Sequence, residues 1–402
     1  MEKMLTGVLV LELGQVIAGN VAGVILADMG AEVVKVEPLT GDTARNPGIA
    51  AIDGESAIHL ALNRNKKSTS LDLKSEAGRE IFIDLVRQAD VVIDNFRPGV
   101  TARLGADPET LRTYKPDIIT ASVTGFGATG PAKNRPAFDL VVQALSGHLA
   151  ITGEADRPPS RVGVPIADLA GGLFTCISVL GALAGRGLHG QGQHADVAML
   201  DSLVSLLTYD GLHHLNSGVP VKRHGTSHAY MVPWQAFAVQ DGHIVIAARE
   251  EKFWQRLCEA IDRPDLQDHP KTKDNPTRLA NREFVNEVLE AAFAGKTRRE
   301  WVAIMDEYDI PAAPVNELGE VFEDEQVRAR EMVRSYEHAT LGDVKYIASP
   351  LHFDDWVFPN LPAPMLGQHT AEVLRERLGM DDEKISELAA AGVIRVWPQP
   401  AA

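Results

Sequence analysis

The segment Val162-Gly-Val-Pro-Ile-Ala-Asp168-Leu-Ala-Gly-Gly-Leu-Phe174 sets one carboxylate at the start of an apolar helical pattern, with Gly171 and Gly172 close behind it. A carboxylate with open space beside it is a candidate reacting group toward a bulky ligand. Leu169, Leu173, Phe174, Ile177, Leu180 and Leu183 recur at helical spacing until Gly185-Arg-Gly187 interrupts them. This spacing predicts Asp168 at or near the helix N-cap, where free N–H groups and the positive dipole end favour the ionised form. Gly171 and Gly172 are expected to let a bulky ligand approach the first turn. The plainer alternative is that Asp168 only caps the helix.

Other residues suited to chemistry fall on loops. Lys66, Lys67, Lys74, Arg97, Arg103 and Arg135 form a basic set compatible with phosphate binding or with simple solvation. Asp94-Asn-Phe-Arg-Pro-Gly99 brings an amide, an aromatic face and a guanidinium to one strand end, suited to a base and a phosphate; an ordinary Pro-Gly turn is the alternative. Gly14-Gln-Val-Ile-Ala-Gly19 is not a P-loop, since Asn20-Val21 stands where Lys and Ser or Thr are needed. Nor does it match the dinucleotide fingerprint, although Glu37 ends the second strand. The thirteen histidines include no His-Glu-x-x-His pattern, and no Gly-x-Ser-x-Gly elbow occurs, so neither a metal site nor a serine hydrolase is expected.

The scaffold for these loops is legible as alternation. Val8–Leu13, Ala31–Val36, Ser68–Leu73, Asp90–Asp94 and Asp117–Ser122 read as strands. Gly19–Met29, Glu76–Gln88 and Pro108–Tyr114 read as helices between them. This is the pattern of βαβ units in an α/β fold with a mostly parallel sheet, where ligands bind beyond the carboxyl ends of the strands. That places Gly14–Gly19, Asn95–Gly99 and Gly125–Pro131 on one face. Ala195–His214 reads as a long helix leading out of this unit, and the composition near Asn216–Thr226 reads as a linker. The expected organisation is a large domain over 1–200, a linker over 201–224, a small domain over 225–325, and a return to the large domain over 326–402.

Composition narrows the function classes. The chain has 402 residues, 45% hydrophobic and 23% charged, with a formal net charge of −16. So acidic a protein is a poor generic ligand for nucleic acid or an anionic membrane, so a phosphorylated ligand would need a local cationic cluster. Cys176 and Cys258 are the two cysteines, and neither has a neighbour at metal or redox spacing. No leader-like apolar core opens the chain and no uninterrupted apolar run reaches spanning length, so a cytoplasmic, membrane-free protein is expected.

Together these segments resemble the class III coenzyme A-transferase family, which includes formyl-CoA transferase and carnitine CoA-transferase. The resemblance runs from Leu5 to about Ile394. It is carried by Ala31-Glu-Val-Val-Lys-Val-Glu-Pro38, Leu62-Asn-Arg-Asn-Lys-Lys-Ser68, Asp94–Gly99, Thr124-Gly-Phe-Gly-x-x-Gly-Pro131, the Asp168 segment and Gly192–Met199. Pro311-Ala-Ala-Pro-Val315 and Pro364–Thr370 add to it. The resemblance implies a Rossmann-like large domain built from both chain ends, a smaller α+β domain, and two chains interlocked as a homodimer. It implies Asp168 as nucleophile, with CoA held by Leu71, Lys74, Asn95, Phe96, Arg97 and Arg103. Backbone contacts would come from Val16, Ile17 and Ala18, and from Arg135, Pro136, Ala137, Phe138 and Asp139. No tightly bound cofactor is implied; acyl-CoA and a small carboxylic acid are the substrates. Gly171, Gly172, His228, Tyr230, Met231 and Arg249 are pocket candidates by position.

The alternative is α-methylacyl-CoA racemase, which resembles this family. Its aspartate would correspond to Asp168 and its glutamate to Glu250, but its histidine falls at Phe138, which cannot carry a proton. A catalytically idle binding protein is the third reading, and it would predict a missing nucleophile. The chain departs from formyl-CoA transferase at Ile17 (there a substrate-positioning Gln), at Pro38 (there an Arg), and in having no four-glycine loop between Arg223 and Trp234.

Overall fold

The computed structural model describes residues 4–48, 50–354 and 356–397. The chain divides into two compact units: one holds the residues up to His148, Val162–Gly218 and those from Ala329 on; the other holds Leu149–Arg161 and Val219–Arg328. The excursion at 149–161 into the second unit has no mark in the sequence pattern.

In the first unit, β1 (Leu9–Glu12), α1 (Ala18–Asp28), β2 (Glu32–Glu37), β3 (Lys66–Leu71), α2 (Glu76–Val86), β4 (Val91–Asp94), α3 (Pro108–Tyr114) and β5 (Ile119–Thr124) alternate. Then follow α4 (Asp139–Leu145), the 24-residue α5 (Ile166–His189), β6 (His194–Ala198), α6 (Met199–Ser205) and α7 (Thr208–Ser217). Ser75 and Asp107 cap α2 and α3 through the backbone N–H groups of Gly78 and Thr110, and Pro108 opens α3 with its φ already helical. The strands lie side by side as β3-β2-β1-β4-β5-β6, all parallel, with a short antiparallel strand at Ile394–Arg395 outside β3. This mixed α/β architecture has its switch point between β1 and β4, where a crevice opens at the carboxyl ends.

Period-two alternation sorts the strand residues between two cores. Leu9, Leu11, Val34, Val36 and Leu71 pack with Phe82 and Leu85 of α2 on one face. Val10, Val33, Val91, Ile93 and Ala121 pack with Leu26 of α1 and with Cys176 and Val179 of α5 on the other. Cys176 is thus a core residue, its thiol pushed up to about 12 by burial.

Three expectations need correcting. Ala195–His214 is not one helix: β6, α6 and α7 share it, with Thr208 at φ +43° where α7 begins. The apolar residues of β6 had been absorbed into a helical period that the pairing of Thr124 with Ala198 breaks. The region 201–224 is therefore helical through Ser217 rather than a linker. Further, although no uninterrupted apolar run reaches spanning length, α5 as a whole is long and apolar enough to cross a membrane by length and composition alone. Its Ala170, Gly171, Gly172, Thr175, Cys176 and Val179 are buried inside the first unit.

The second unit has β7 (Trp234–Val239), β8 (Gly242–Ala247), α8 (Glu251–Ala260), α9 (Arg282–Phe293), α10 (Arg298–Glu307) and β9 (Ala312–Pro314). Its antiparallel sheet runs β9-β8-β7 over a core including Phe237, Trp254, Phe293 and Trp301. Cys258 lies in this core.

Beneath the carboxyl end of β1, four charged side chains are fully buried. Lys35 Nζ stands 3.3 Å from Glu12 and 3.0 Å from Asp42, and it donates to Asn20 Oδ1 at 2.6 Å and to the Gly14 carbonyl at 2.7 Å. Lys66 Nζ lies 2.7 Å from Glu12. Burial would raise the Asp42 carboxyl, but Lys35 and the bonded donors hold it near about 2. Burial draws the Lys66 ammonium down to about 8 against the pull of Glu12. Removing one charge strands the others in a dry site, so Lys35→Met should lower stability by about 3–5 kcal/mol. The urea midpoint at unchanged m-value measures this; a loss under about 1 kcal/mol would contradict the coupling.

Candidate active site

The loop after β1 forms one wall of the crevice, and every part of it is anchored. The Asn95 side chain accepts from Gln15 N at 2.9 Å and donates to Gln15 O at 2.8 Å, like a rung of sheet. Val16, at φ +59°, is held in a left-handed conformation unusual for a β-branched residue. Its N–H donates to Asp42 Oδ1 at 3.0 Å and its carbonyl accepts from Asn20 Nδ2 at 2.7 Å. A Cβ on Gly14 would come within 2.7 Å of the Gly19 backbone, so these glycines let the turn fold onto itself. Neither Gly14 nor Gly19 is spaced for a phosphate.

Across the crevice the β5–α4 loop is tied down by Thr124 Oγ1, which accepts from Gly127 N at 2.9 Å, and by Asp196, which accepts from Ala128 N at 2.9 Å. A Cβ on Gly125 would overlap the Ala137 methyl. Arg135 extends over the Phe126 ring at 5.5 Å.

Two cavities lie along this face and share Gln15, Phe96 and Val100. One, of about 290 Å³, is a slot with Leu71, Leu73, Phe96 and Leu104 in its walls and Lys74 and Arg103 among its lining residues. The other, of about 390 Å³, runs past Val16, Ile17 and Ala18 to Asp168, with Arg97, Lys133, Arg135 and Phe138 along it. Every residue lining both belongs to the first unit.

Asp168 is the third residue of α5, whose first turn is closed by unexpected partners. Asp139 Oδ1, from α4, accepts from Ala167 N at 2.7 Å and Asp168 N at 3.4 Å. Ile166 N and Leu169 N donate to the carbonyls of Val164 and Pro165. The free N–H groups expected at this helix end are thus already used, and the Asp168 carboxylate has no hydrogen-bond donor among the described residues. Burial pushes its carboxyl up to about 7, and the Asp139 charge pushes it the same way. This reverses the expectation that the helix end favours the ionised form: desolvation and a like charge outweigh a dipole worth at most about 2 kcal/mol.

Gly171 and Gly172 also serve another purpose. A Cβ on Gly172 would lie 2.6 Å from Val21 Cβ, and one on Gly171 would lie 3.0 Å from Met199 and 3.1 Å from Val123. They seat α5 against α1, α6 and β5, and neither lines the two cavities described above.

The crevice gathers Val16, Ile17, Ala18, Leu71, Lys74, Asn95, Phe96, Arg97, Arg103, Arg135, Ala137, Phe138 and Asp168, and Pro38 as well. Pro136 and Asp139 are not in its lining; Asp139 acts on the helix end instead. Lys66 is a core cation, and Lys67 pairs with Glu372 at 2.7 Å, so neither serves a ligand. His228, Tyr230 and Arg249 belong to the second unit, where the His228 ring packs 5.0 Å from Trp234 and Arg249 is exposed after β8. The sequence reading passed over Gln15, Phe126, Lys133 and Met199. Lys133, two residues before Arg135, carried the same loop-cation signal.

The model of CoA-transferase family III matches residues 5–370. The chain belongs to that family. The human succinyl-CoA:glutarate CoA-transferase is 36% identical over 394 residues, covering 98% of this chain and 90% of the relative. The succinyl-CoA:mesaconate CoA-transferase of Haloarcula hispanica is 38% identical over 378 residues, covering 91% and 94%. A crystal structure of a CAIB/BAIF family protein from Brucella suis superposes with a TM-score of 0.84 at 34% identity, covering 94% of this chain and all of that one. As a family III enzyme the protein transfers CoA from an acyl-CoA to a carboxylate.

A carboxyl held at about 7 instead of 3.8 burdens the folded state once it is ionised, by roughly 4 kcal/mol at 1.36 kcal/mol per pH unit. The folded state favours the protonated acid. The burden is therefore absent below about pH 4, grows up to about pH 7 and stays constant above. Asp168→Asn should accordingly stabilise the protein at pH 8 by roughly 2–4 kcal/mol and much less at pH 5. Urea unfolding of both proteins across this range tests it; a difference independent of pH would contradict the raised acid.

Proposed function

We propose that Asp168 is the acyl acceptor of this CoA-transferase and that CoA lies along the two joined cavities. The observation carrying this reading is an undonated carboxylate at one end of a crevice whose other end is an apolar slot flanked by cations. The adenine would sit among Leu71, Leu73, Phe96 and Leu104. Lys74, Arg97 and Arg103 would meet the phosphates, and the thioester would reach Asp168. Apolar walls with a few placed charges are what such a ligand needs.

In the reaction, the ionised Asp168 attacks the thioester carbonyl. The C–S bond breaks, CoA leaves as thiolate, and the acyl group is held as a mixed anhydride on Asp168. The thiolate then attacks the aspartyl carbonyl, releasing the donor's carboxylate and leaving CoA as a thioester on Asp168. The acceptor carboxylate attacks that thioester, forming a second anhydride and freeing the thiolate again. The thiolate finally takes the acceptor's acyl carbon, giving the new acyl-CoA and restoring Asp168. Each step exchanges one activated carbonyl for another, so the thioester's free energy is conserved without an outside energy source.

The substrates we propose are succinyl-CoA as donor and a small dicarboxylic acid, such as glutarate or mesaconate, as acceptor. The names of the human and Haloarcula relatives support this choice. The test is incubation with succinyl-CoA and a panel of carboxylic acids, with new thioesters followed by mass spectrometry. Expected are a dicarboxylate preference, a rate rising through about pH 7 as Asp168 ionises, and a loss of about a thousandfold or more in Asp168→Ala. Hydroxylamine should trap the acylated Asp168 peptide. α-Proton exchange in deuterated water without thioester exchange would overturn the assignment.

We also propose that the protein is a homodimer. Ile177 on α5 is 61% exposed and Leu212 and Leu215 on α7 are 63% and 82% exposed, apolar side chains that a second copy would cover. Light scattering should give twice the chain mass; a monomer at micromolar concentration would reject this.

A further inference from the structure

Asp139 sits beside Asp168 and outside the substrate crevice, and with its neighbour Gln143 it holds the Asp168 segment at two points. Its Oδ1 takes the N–H groups of Ala167 and Asp168, and its Oδ2 accepts from Gln143 Nε2 at 2.6 Å. Gln143 lies one turn along α4, is fully buried, and accepts from Val162 N at 3.0 Å through Oε1. One pair of side chains on α4 therefore fastens the chain at 162 and again at 167–168. A helix end needs no carboxylate for this, since a Ser, Thr or Asn would satisfy the same amides. A negative charge here also costs something an amide would not: it stands next to a second, partly buried carboxylate.

We propose that Asp139 is a positioning residue of the transfer: it fixes the first turn of α5 and sets a negative charge beside Asp168 that opposes the free carboxylate and not the acylated one. This rests on Asp168 being the acyl acceptor. The aspartyl anhydride and the aspartyl thioester are both uncharged at that residue. Forming either from ionised Asp168 removes a like-charge contact, and hydrolysis or back-transfer restores it. The pair thus raises the free enzyme relative to its covalent intermediates and makes Asp168 a more basic nucleophile. The direction of the Asp168 acid agrees, with burial as the larger cause and Asp139 as the second. The other groups around Asp168 do not substitute for it. Arg97, Lys133 and Arg135 along the same crevice are cations and act oppositely, while α1, β5 and α6 present the uncharged Ile17, Ala18, Val123 and Met199.

Asp139→Asn tests the charge while keeping an acceptor for Ala167 N; Asp139→Ala removes both. Thermal melts establish which variants are folded. The full-length enzyme is mixed with succinyl-CoA and succinate at fixed ratio, quenched, and the Asp168 peptide is weighed for bound CoA. In Asp139→Asn the ratio of CoA-thioester to free Asp168 should fall about tenfold above pH 8, matching a downward move of about one unit in the acid limb of the kcat profile. KM for succinyl-CoA should change less than about threefold. A role confined to capping predicts an unaltered acid limb and an unaltered thioester ratio, and that result in a folded Asp139→Asn overturns the proposal. If Asp168→Ala retains activity, or the adduct forms on another residue, the nucleophile reading itself falls, and the two failures are told apart. Should Asp139→Asn not fold, Gln143→Leu provides the second arm. It removes both the Val162 contact and the donor to Asp139 Oδ2 but keeps the negative charge, so it should slow turnover without lowering the acid limb; a limb lowered by about one unit would overturn the proposal.

Discussion

The buried ammonium of Lys35 is the constraint on which the rest of this architecture hangs. A fully desolvated cation on a central strand is tolerable only with anions and carbonyls packed around it. Those partners come from four places: Glu12 on β1, Asn20 on α1, Asp42 beyond β2 and the Gly14 carbonyl in the turn. Satisfying one charge therefore fixes the strand, the helix start and the loops that together wall the crevice. The same Asp42 holds the Val16 amide, so the left-handed backbone at the edge of the site is maintained by a core interaction. Strain of this kind persists only where its surroundings over-determine it.

Asp168 illustrates a contest between local and tertiary electrostatics. Taken alone, the start of a long apolar helix stabilises a carboxylate. In the folded protein the helix amides are occupied by Asp139, the carboxylate is partly withdrawn from water, and a like charge stands beside it. The outcome is an acid poised near neutrality, where a carboxylate is basic enough to attack and still ionised enough to be available. The glycines beside it obey a similar logic. Their missing side chains admit Val21, Val123 and Met199, so the helix bearing Asp168 is clamped between α1, α6 and β5. Close packing, more than open space, is what positions the carboxylate.

Much of this was legible in order along the chain. Alternating apolar runs mark the βαβ units, and that alternation alone puts the strand-end loops at Gly14, Asn95 and Gly125 on one face. The crevice does lie there, because parallel strands all present their carboxyl ends to one side. The sequence leaves Lys66 and Lys67 between phosphate binding and solvation, because the partners that engage them, Glu12 and Glu372, are remote along the chain. The 195–214 region was misread because small residues fit a strand and a helix equally until β5 pairs with one of them.

What the sequence alone determined was the alternation of the first half, the face on which its strand-end loops lie, and the carboxylate on the long helix. These follow from periodicity, which is a property of neighbours. Only the tertiary structure decided the state of that carboxylate, the true use of Gly171 and Gly172, and the part taken by Asp139. Desolvation, close approach and charge repulsion act through space, between α4 and α5 or α1 and α5, and no spacing along the chain encodes the distance at which two such segments meet.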